Sequence, residues 1–262
     1  MSAKSVGING RMNGLLNEGE FLARYKKRLA IVVPYRNRPR HLTAFIQRIT
    51  NYFQRDKLDR NIPISIHVVE QQGDALFNAG KLRNSGYRLA AKTCDYVCFH
   101  DVDYLPIWTD YSWSEKPARL CWYGLRLREN REKFFGAVVL FDKCAFERVN
   151  GYPNAYWGWG PEDEELGFRC KTLTGGFDSR DGTYLALPHP HRGINARGVH
   201  TDEAKRTLAL YKLRQSRLVE LIEEDGLSGL QFETVKTMPL RMEGVIVPDA
   251  FHHLVDIGKP ES

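Results

Sequence analysis

The sequence predicts an α/β fold with a mostly parallel central sheet flanked by helices. Apolar, β-branched or aromatic runs at Leu29–Val33, Ile64–Val69 and Tyr96–Phe99 alternate with segments of helical periodicity, and alternation of this kind builds right-handed βαβ units. The third run carries no charge yet ends abruptly in Asp101 and Asp103, as a strand buried on both faces does when it delivers polar groups to a sheet edge. A hydrophobic fraction of 42%, with five Trp, 12 Tyr and 13 Phe, supplies a substantial core for 262 residues and excludes wholesale disorder.

Residues 1–28 read as an N-terminal tail or loose helix, because Gly7, Gly10 and Gly14 interrupt them and few large apolar residues precede the basic run from Arg24 to Arg28. A core unit is expected over 29–200. Its first strand, Leu29–Val33, leads into the loop Pro34-Tyr-Arg-Asn-Arg38. Pro39 then suits the first turn of a helix whose Leu42, Phe45, Ile46, Ile49 and Phe53 share one face. The strand Ile64–Val69, a loop from Gln71 to Asn78 and a helix from Ala79 to Lys92 complete βαβαβ with the third strand. Cys121–Leu127 and Phe134–Phe141 are expected as strands, and Asp142–Val149 as a short helix closed by Asn150-Gly151. Tyr156 to Glu165 opens a helix carrying Leu166, Cys170 and Leu173, and Leu185 to His191 reads as a strand. The remainder, 201–262, is expected to pack on this core as one long basic amphipathic helix, Thr201–Glu224, followed by β-like stretches at Glu233–Val247 and Ala250–Ile257.

Bulk properties narrow the function classes. The net charge of +6 is spread without a dominant basic block, which favours phosphate-bearing small substrates or peripheral contact of basic segments with an acidic membrane over nucleic acid. Cys94, Cys98, Cys121, Cys144 and Cys170 are odd in number and lie in apolar context, the pattern of reduced thiols in a reducing compartment rather than of a disulfide framework or zinc cluster. Residues 1–17 lack the apolar stretch of a secretory signal, so the expected location is cytoplasmic, with the inner face of a membrane as the alternative.

The chemistry-bearing residues lie at strand ends. Asp101 and Asp103 flank Val102, so in extended chain both point to one face, and two like charges there call for a divalent cation and a polyanionic substrate such as a nucleoside diphosphate. An isolated pair of this kind is otherwise a solvated turn. Arg36 and Arg38, between a strand and a helix, stand where phosphates are met, although surface exposure is the commoner fate of an arginine. In Tyr156-Trp-Gly-Trp-Gly-Pro-Glu-Asp-Glu-Glu165 the glycines let the chain move and Trp157 and Trp159 offer flat faces for sugar rings. Four acids there exceed what stabilising a helix start requires. His189 and His191, held by Pro188 and Pro190, share one face of extended chain and form a further pair of metal donors.

Five blocks occurring in one order resemble the β-1,4-galactosyltransferase family. They are Pro34-Tyr-Arg-Asn-Arg38; Gly73-Asp74 with Phe77-Asn78 and Lys81-Leu82; Asp95-Tyr96 through Asp103; Gly151-Tyr-Pro-Asn154 into Trp157-Gly-Trp-Gly160 and Glu162-Asp163; and Asp225-Gly-Leu with Val255-Asp-Ile-Gly258. The resemblance implies a GT-A (Rossmann-like) fold and inverting transfer of a hexose, most naturally galactose, from a UDP-sugar to a saccharide or glycolipid acceptor. It implies Mn²⁺ as cofactor, with Mg²⁺ as the alternative ion. Carried over, it places Pro34, Tyr35, Arg36, Arg38, Phe77, Asp101, Val102 and Trp159 at the nucleotide-sugar, and Trp159, Glu162 and Glu164 at the acceptor. Asp103, His189 and His191 become metal ligands and Asp163 the catalytic base. Phe134 falls where the family often has a Tyr restricting the donor sugar, so UDP-galactose is expected over UDP-N-acetylgalactosamine.

The chain departs from the pattern at three places. Tyr35 stands for the usual Phe, Ala79 for the arginine of Phe-Asn-Arg, and Cys98 lacks the partner of the secreted animal members. These departures suggest a cytosolic, bacterial relative that makes a surface polysaccharide. Rival readings are a catalytically silent saccharide-binding protein on the same fold and a metal phosphohydrolase built on the two acids and two histidines.

Overall fold

The structure, a computed structural model, describes Gly19 and residues 23–55, 61–121, 135–190, 193–195 and 197–260. The first strand, β1 (Leu29–Tyr35), is buried along its whole length, with odd-numbered side chains on one face and even-numbered ones on the other. Helix α1 (Pro39–Arg55) covers the odd face, where Leu42, Phe45, Ile46, Ile49 and Phe53 pack with Leu29, Ile31 and Val33. After β2 (Ile64–Gln71), helix α2 (Ala79–Ala90) crosses the opposite face and packs Leu82 and Tyr87 on Val32 and Val69. A Cβ at Gly86 would run into Val32 and Val69, so glycine there sets how closely α2 approaches the sheet. The chain then enters β3 (Tyr96–His100), parallel to β1 on the side away from β2. The order β3-β1-β2 therefore reverses direction at β1, and open α/β sheets bind ligands beyond the carboxyl ends of strands at such a reversal.

The rest of the chain extends both flanks. Strand β4 (Tyr104–Thr109) pairs with β8 (Gly182–Ala186) in a separate two-stranded sheet, while β5 (Ala118–Arg119), β6 (Val138–Asp142) and β7 (Asp178–Ser179) join the central one. Helix α3 (Lys143–Arg148) is capped by Asp142 and leads to helix α4 (Glu162–Leu173). Helices α5 (Asp202–Gln215) and α6 (Leu218–Glu224) precede the hairpin of β9 (Glu233–Met242) and β10 (Val245–Asp256). The eight strands lie in the order β7-β5-β6-β3-β1-β2-β10-β9. β6 runs antiparallel to β3, and β9 to β10.

Four sequence expectations are corrected. The expected long helix from Thr201 divides at Ser216-Arg217 into α5 and α6, where the Arg217 amide turns back onto the Arg214 carbonyl at 3.0 Å instead of continuing the helical ladder. The expected strand Phe134–Phe141 begins only at Val138, because Ala137 adopts a left-handed φ of 59°. The expected strand Leu185–His191 ends at Ala186, where Pro188 and Pro190 remove ladder donors. Of Cys121–Leu127, Cys121 is not in a strand and the remainder lies outside the described residues.

Candidate active site

Three segments converge beyond the carboxyl ends of β1 and β3. Asn37 takes a left-handed φ of 51° and turns the loop back, so that the Arg38 amide donates to the Tyr35 hydroxyl at 3.2 Å. Tyr35 is therefore a buried brace for the loop and does not line the cavity, unlike Pro34, Arg36 and Arg38. The Arg36 guanidinium lies 5.4 Å from the Phe77 ring centre and donates to the Ala75 carbonyl.

Beyond β3 the chain turns at once, with the Tyr104 amide donating to the Asp101 carbonyl at 3.3 Å. The extended geometry expected for Asp101 and Asp103 is replaced by this turn, which sends the two carboxylates to different partners. Asp101 Oδ1 accepts from Arg83 Nη2 at 2.7 Å. Asp103 Oδ2 meets His189 Nε2 at 2.8 Å and Arg38 Nη1 at 3.2 Å. Burial works against the Asp103 charge, but the His189 bond and Arg38 hold its carboxyl below the usual range, and that same bond raises His189.

The opposite wall is the segment from Gly158 to Glu164. The Gly158 amide donates to the Phe77 carbonyl at 2.6 Å, and its φ of +92°, with the Glu203 carboxylate where a Cβ would stand, makes any side chain there strained. The Trp159 amide donates to Glu203, and its carbonyl accepts from the Thr207 hydroxyl at 2.6 Å. Helix α5 thus holds the tryptophan segment in place, with Gly193 against the indole. A cavity of 460 Å³ opens between the walls, lined by Pro34, Arg36, Arg38, Phe77, Asp101, Val102 and Asp103 on one side and Trp159, Glu162, Asp163 and Glu164 on the other.

Electrostatics inside the cavity centre on a residue the sequence reading missed. Arg83, 3% exposed, reaches Glu162 Oε1 at 3.2 Å and Asp163 Oδ1 at 3.3 Å through Nη1, besides Asp101 through Nη2. A helix N-terminus favours an ionised carboxylate, yet burial pushes the Asp163 carboxyl well above the ordinary range, with Arg83 opposing the rise and Glu162 and Asp101 adding to it. Glu162 and Asp101 are raised by burial for the same reason. Glu164 is exposed. The fourth acid, Glu165, faces away into a buried cluster with Arg169 and Arg214. Arg83 has one sequence signal: it lies a helical turn after Ala79, and both line the cavity.

Asp103 and His189 fit a divalent cation, since a carboxylate oxygen and an imidazole nitrogen converge on one point of the cavity wall. Among the described residues no group of three or more such donors comes together. The third expected ligand, His191, lies outside the described residues, as does Phe134.

Comparison with known proteins matches residues 11–113 to the N-terminal region of glycosyl transferase group 7 and residues 122–190 to the N-terminal domain of galactosyltransferase. The β-1,4-galactosyltransferase 4 of Cricetulus griseus is 38% identical over 215 residues, covering 79% of this chain and 58% of that protein. The chain belongs to the β-1,4-galactosyltransferase family. Another member, β-1,4-galactosyltransferase 5 of Danio rerio, is 35% identical over 219 residues, 78% of this chain and 52% of that protein, so the chain spans little more than half the length of these relatives. Both are animal proteins, which lends no support to the expected bacterial origin.

The solved catalytic domain of Drosophila β1,4-galactosyltransferase 7 with xylobiose covers 88% of this chain and 94% of its own, with a TM-score of 0.68 and 22% identity. A point variant of that enzyme with manganese, UDP-Gal and xylobiose gives a TM-score of 0.66 at 23% identity. The fold is GT-A: a mostly parallel central sheet flanked by helices, as the resemblance implied. Several of the family blocks prove to be internal ties. Asn78 caps α2 and donates to the Asn154 carbonyl, Asn84 donates to Tyr152 and Asn154, and Asn154 reaches Asp225 and Gly226.

Proposed function

We propose that this protein is an inverting hexosyltransferase that moves galactose from UDP to a hydroxyl of a saccharide or glycolipid acceptor. One observation carries the reading: a single cavity has Arg36, Arg38, Asp103 and His189 on one wall and Trp159, Glu162, Asp163 and Glu164 on the other. A diphosphate fits the first wall, where two guanidinium groups supply charge-assisted donors. A sugar fits the second, where the indole offers an apolar face beside carboxylates. The family's solved member with manganese, UDP-Gal and xylobiose supports both choices.

Transfer is a single displacement. The acceptor hydroxyl gives its proton to the Asp163 carboxylate while its oxygen bonds to the anomeric carbon, and the bond from that carbon to the diphosphate oxygen breaks with its electron pair leaving on UDP. The raised affinity of Asp163 for a proton makes it a better base than a solvated carboxylate. Arg36 and Arg38 face the departing diphosphate and stabilise its growing charge. A bound Mn²⁺ or Mg²⁺ at Asp103 and His189, with His191, would supply further positive charge there. The five cysteines, four of them buried, support a reducing, cytoplasmic site of action as part of this reading.

The test is a screen of UDP-sugars against a panel of monosaccharide acceptors with Mn²⁺, reading UDP release. Acceptor-dependent release, greatest with UDP-galactose, is expected. Phosphoester hydrolysis without acceptor would establish the phosphohydrolase reading instead, and donor binding without turnover would establish a silent binding protein.

A further inference from the structure

Arg83 is a buried cation that the reaction scheme above leaves unused. It rises from α2 into the cavity floor, and its guanidinium spans both walls. Nη2 bonds Asp101 on the donor side at 2.7 Å, while Nη1 bonds Glu162 and Asp163 on the acceptor side at 3.2 and 3.3 Å. Its Nε is buried without a hydrogen-bond partner, and its guanidinium carbon lies 4.9 Å from the centre of the buried Tyr152 ring. A cation kept here only to balance charge needs no such fork. Partly buried carboxylates that share one planar guanidinium are instead fixed in direction as well as neutralised, because the donors of the fork cannot rotate independently.

The residues around it explain why this chain needs the fork. Ala79, one helical turn earlier on the same cavity-lining face, contributes no charge. Asp163 stands at the start of α4, whose N-cap Pro161 makes no side-chain hydrogen bond. Without Arg83, Asp163 would be left among Glu162, Asp101 and Glu164, with like charges free to turn it toward solvent.

We infer that Arg83 is the positioning residue for the reaction, aligning the acceptor-side base Asp163 with the donor-side Asp101 through one guanidinium bridge. The inference rests on Asp163 acting as the base, and Arg83 works through that carboxylate, touching neither the acceptor hydroxyl nor the anomeric carbon. Removing Arg83 therefore costs turnover more than donor affinity, and costs nothing further once Asp163 can no longer take the proton.

The experiment is a double-mutant cycle with UDP-galactose and the acceptor that gives turnover, using Arg83→Met, Asp163→Asn and their combination. Circular dichroism and a Kd for UDP accompany each variant. Arg83→Met is expected to lower kcat at least ~10-fold while changing the donor KM less than ~3-fold, and the double variant to match Asp163→Asn, since residues acting as one unit are strongly non-additive. Arg83→Lys keeps a cation but loses the fork, so its kcat is expected between wild type and Arg83→Met. If Arg83→Met does not fold, the cycle is run with Arg83→Lys. Additive losses, an unchanged kcat or a loss confined to KM would overturn the inference. Wild-type protein that transfers no sugar would instead sink the proposed function, an outcome visible before any variant is made.

Discussion

At the residue scale the acids and bases of the cavity divide the work between them. Asp163 sits on the acceptor wall, and Asp163→Asn keeps its shape while removing the proton acceptor. Turnover should fall by roughly a hundredfold or more, the scale of losing a general base, with UDP binding and the thermal transition nearly unchanged. Normal turnover would move the role to Glu162 or Glu164. Asp103 is the carboxylate that meets His189. Wild-type activity removed by EDTA should return with Mn²⁺, whereas Asp103→Ala should show no such recovery. Recovery equal to wild type would take Asp103 out of the metal site. These acids were legible because Asp-Val-Asp after a buried strand and Glu-Asp after Trp-Gly-Trp-Gly are local patterns. Arg83 was not, because one cation among Lys81, Arg83 and Arg88 of α2 looks like the others until its partners are in view.

At the element scale, two buried polar clusters join pieces that are distant in the chain. Glu165 on α4 accepts from Arg169 at 2.8 Å, from Arg214 of α5 at 2.9 Å and from the Tyr156 hydroxyl at 2.7 Å, and Arg214 continues to Asp225 at 2.7 Å. Burial disfavours the Glu165 charge, but Arg214 and Arg169 hold its carboxyl below the usual range. Glu165→Ala would leave the buried Arg169 without its carboxylate and Arg214 with Asp225 alone, and breaking such a buried pair costs about 3–5 kcal/mol. A denaturation midpoint within error of wild type would contradict that. The second cluster runs from Ser65 through His67 and His253 to Thr237, tying β2, β10 and β9 with contacts of 3.0 to 3.1 Å. Burial lowers His67 to about 3 and His253 to about 4, each pushed further by a neighbouring histidine. Because the unfolded chain takes up these protons first, their contribution is complete above the unfolded value near 6.5. It is lost as pH falls toward 4, at up to about 1.4 kcal/mol per unit for each histidine. Urea midpoints at pH 7.5 and 5 should differ less in a His67→Gln/His253→Gln variant than in wild type, and an equally steep loss would place the sensitivity elsewhere. The sequence reading assigned His253 no role, since its partner His67 is 186 positions away.

For the whole molecule, the C-terminal segment is part of the central sheet. β10 runs parallel to β2 from Ala250 to Val255, and the Ile257 carbonyl accepts from Lys81 of α2 at 2.8 Å. Deleting residues 233–262 would leave β2 as an unpaired edge with Ile66 and Val68 uncovered, a template for aggregation. The truncated chain should be insoluble and inactive on expression, and a soluble, active product would contradict this. The sequence by itself determined the α/β class, the βαβαβ order, both cavity walls and the family, because strand and helix periods and contiguous motifs are properties of neighbouring residues. Only the tertiary structure decided that the paired aspartates part company at a turn, that Tyr35 braces rather than lines the cavity, and that β10 completes the sheet. It alone set Arg83 between Asp101, 18 positions away, and Asp163, 80 positions away. Contacts across such separations are fixed by how α2, α4 and the sheet pack, and no local pattern in the chain encodes that packing.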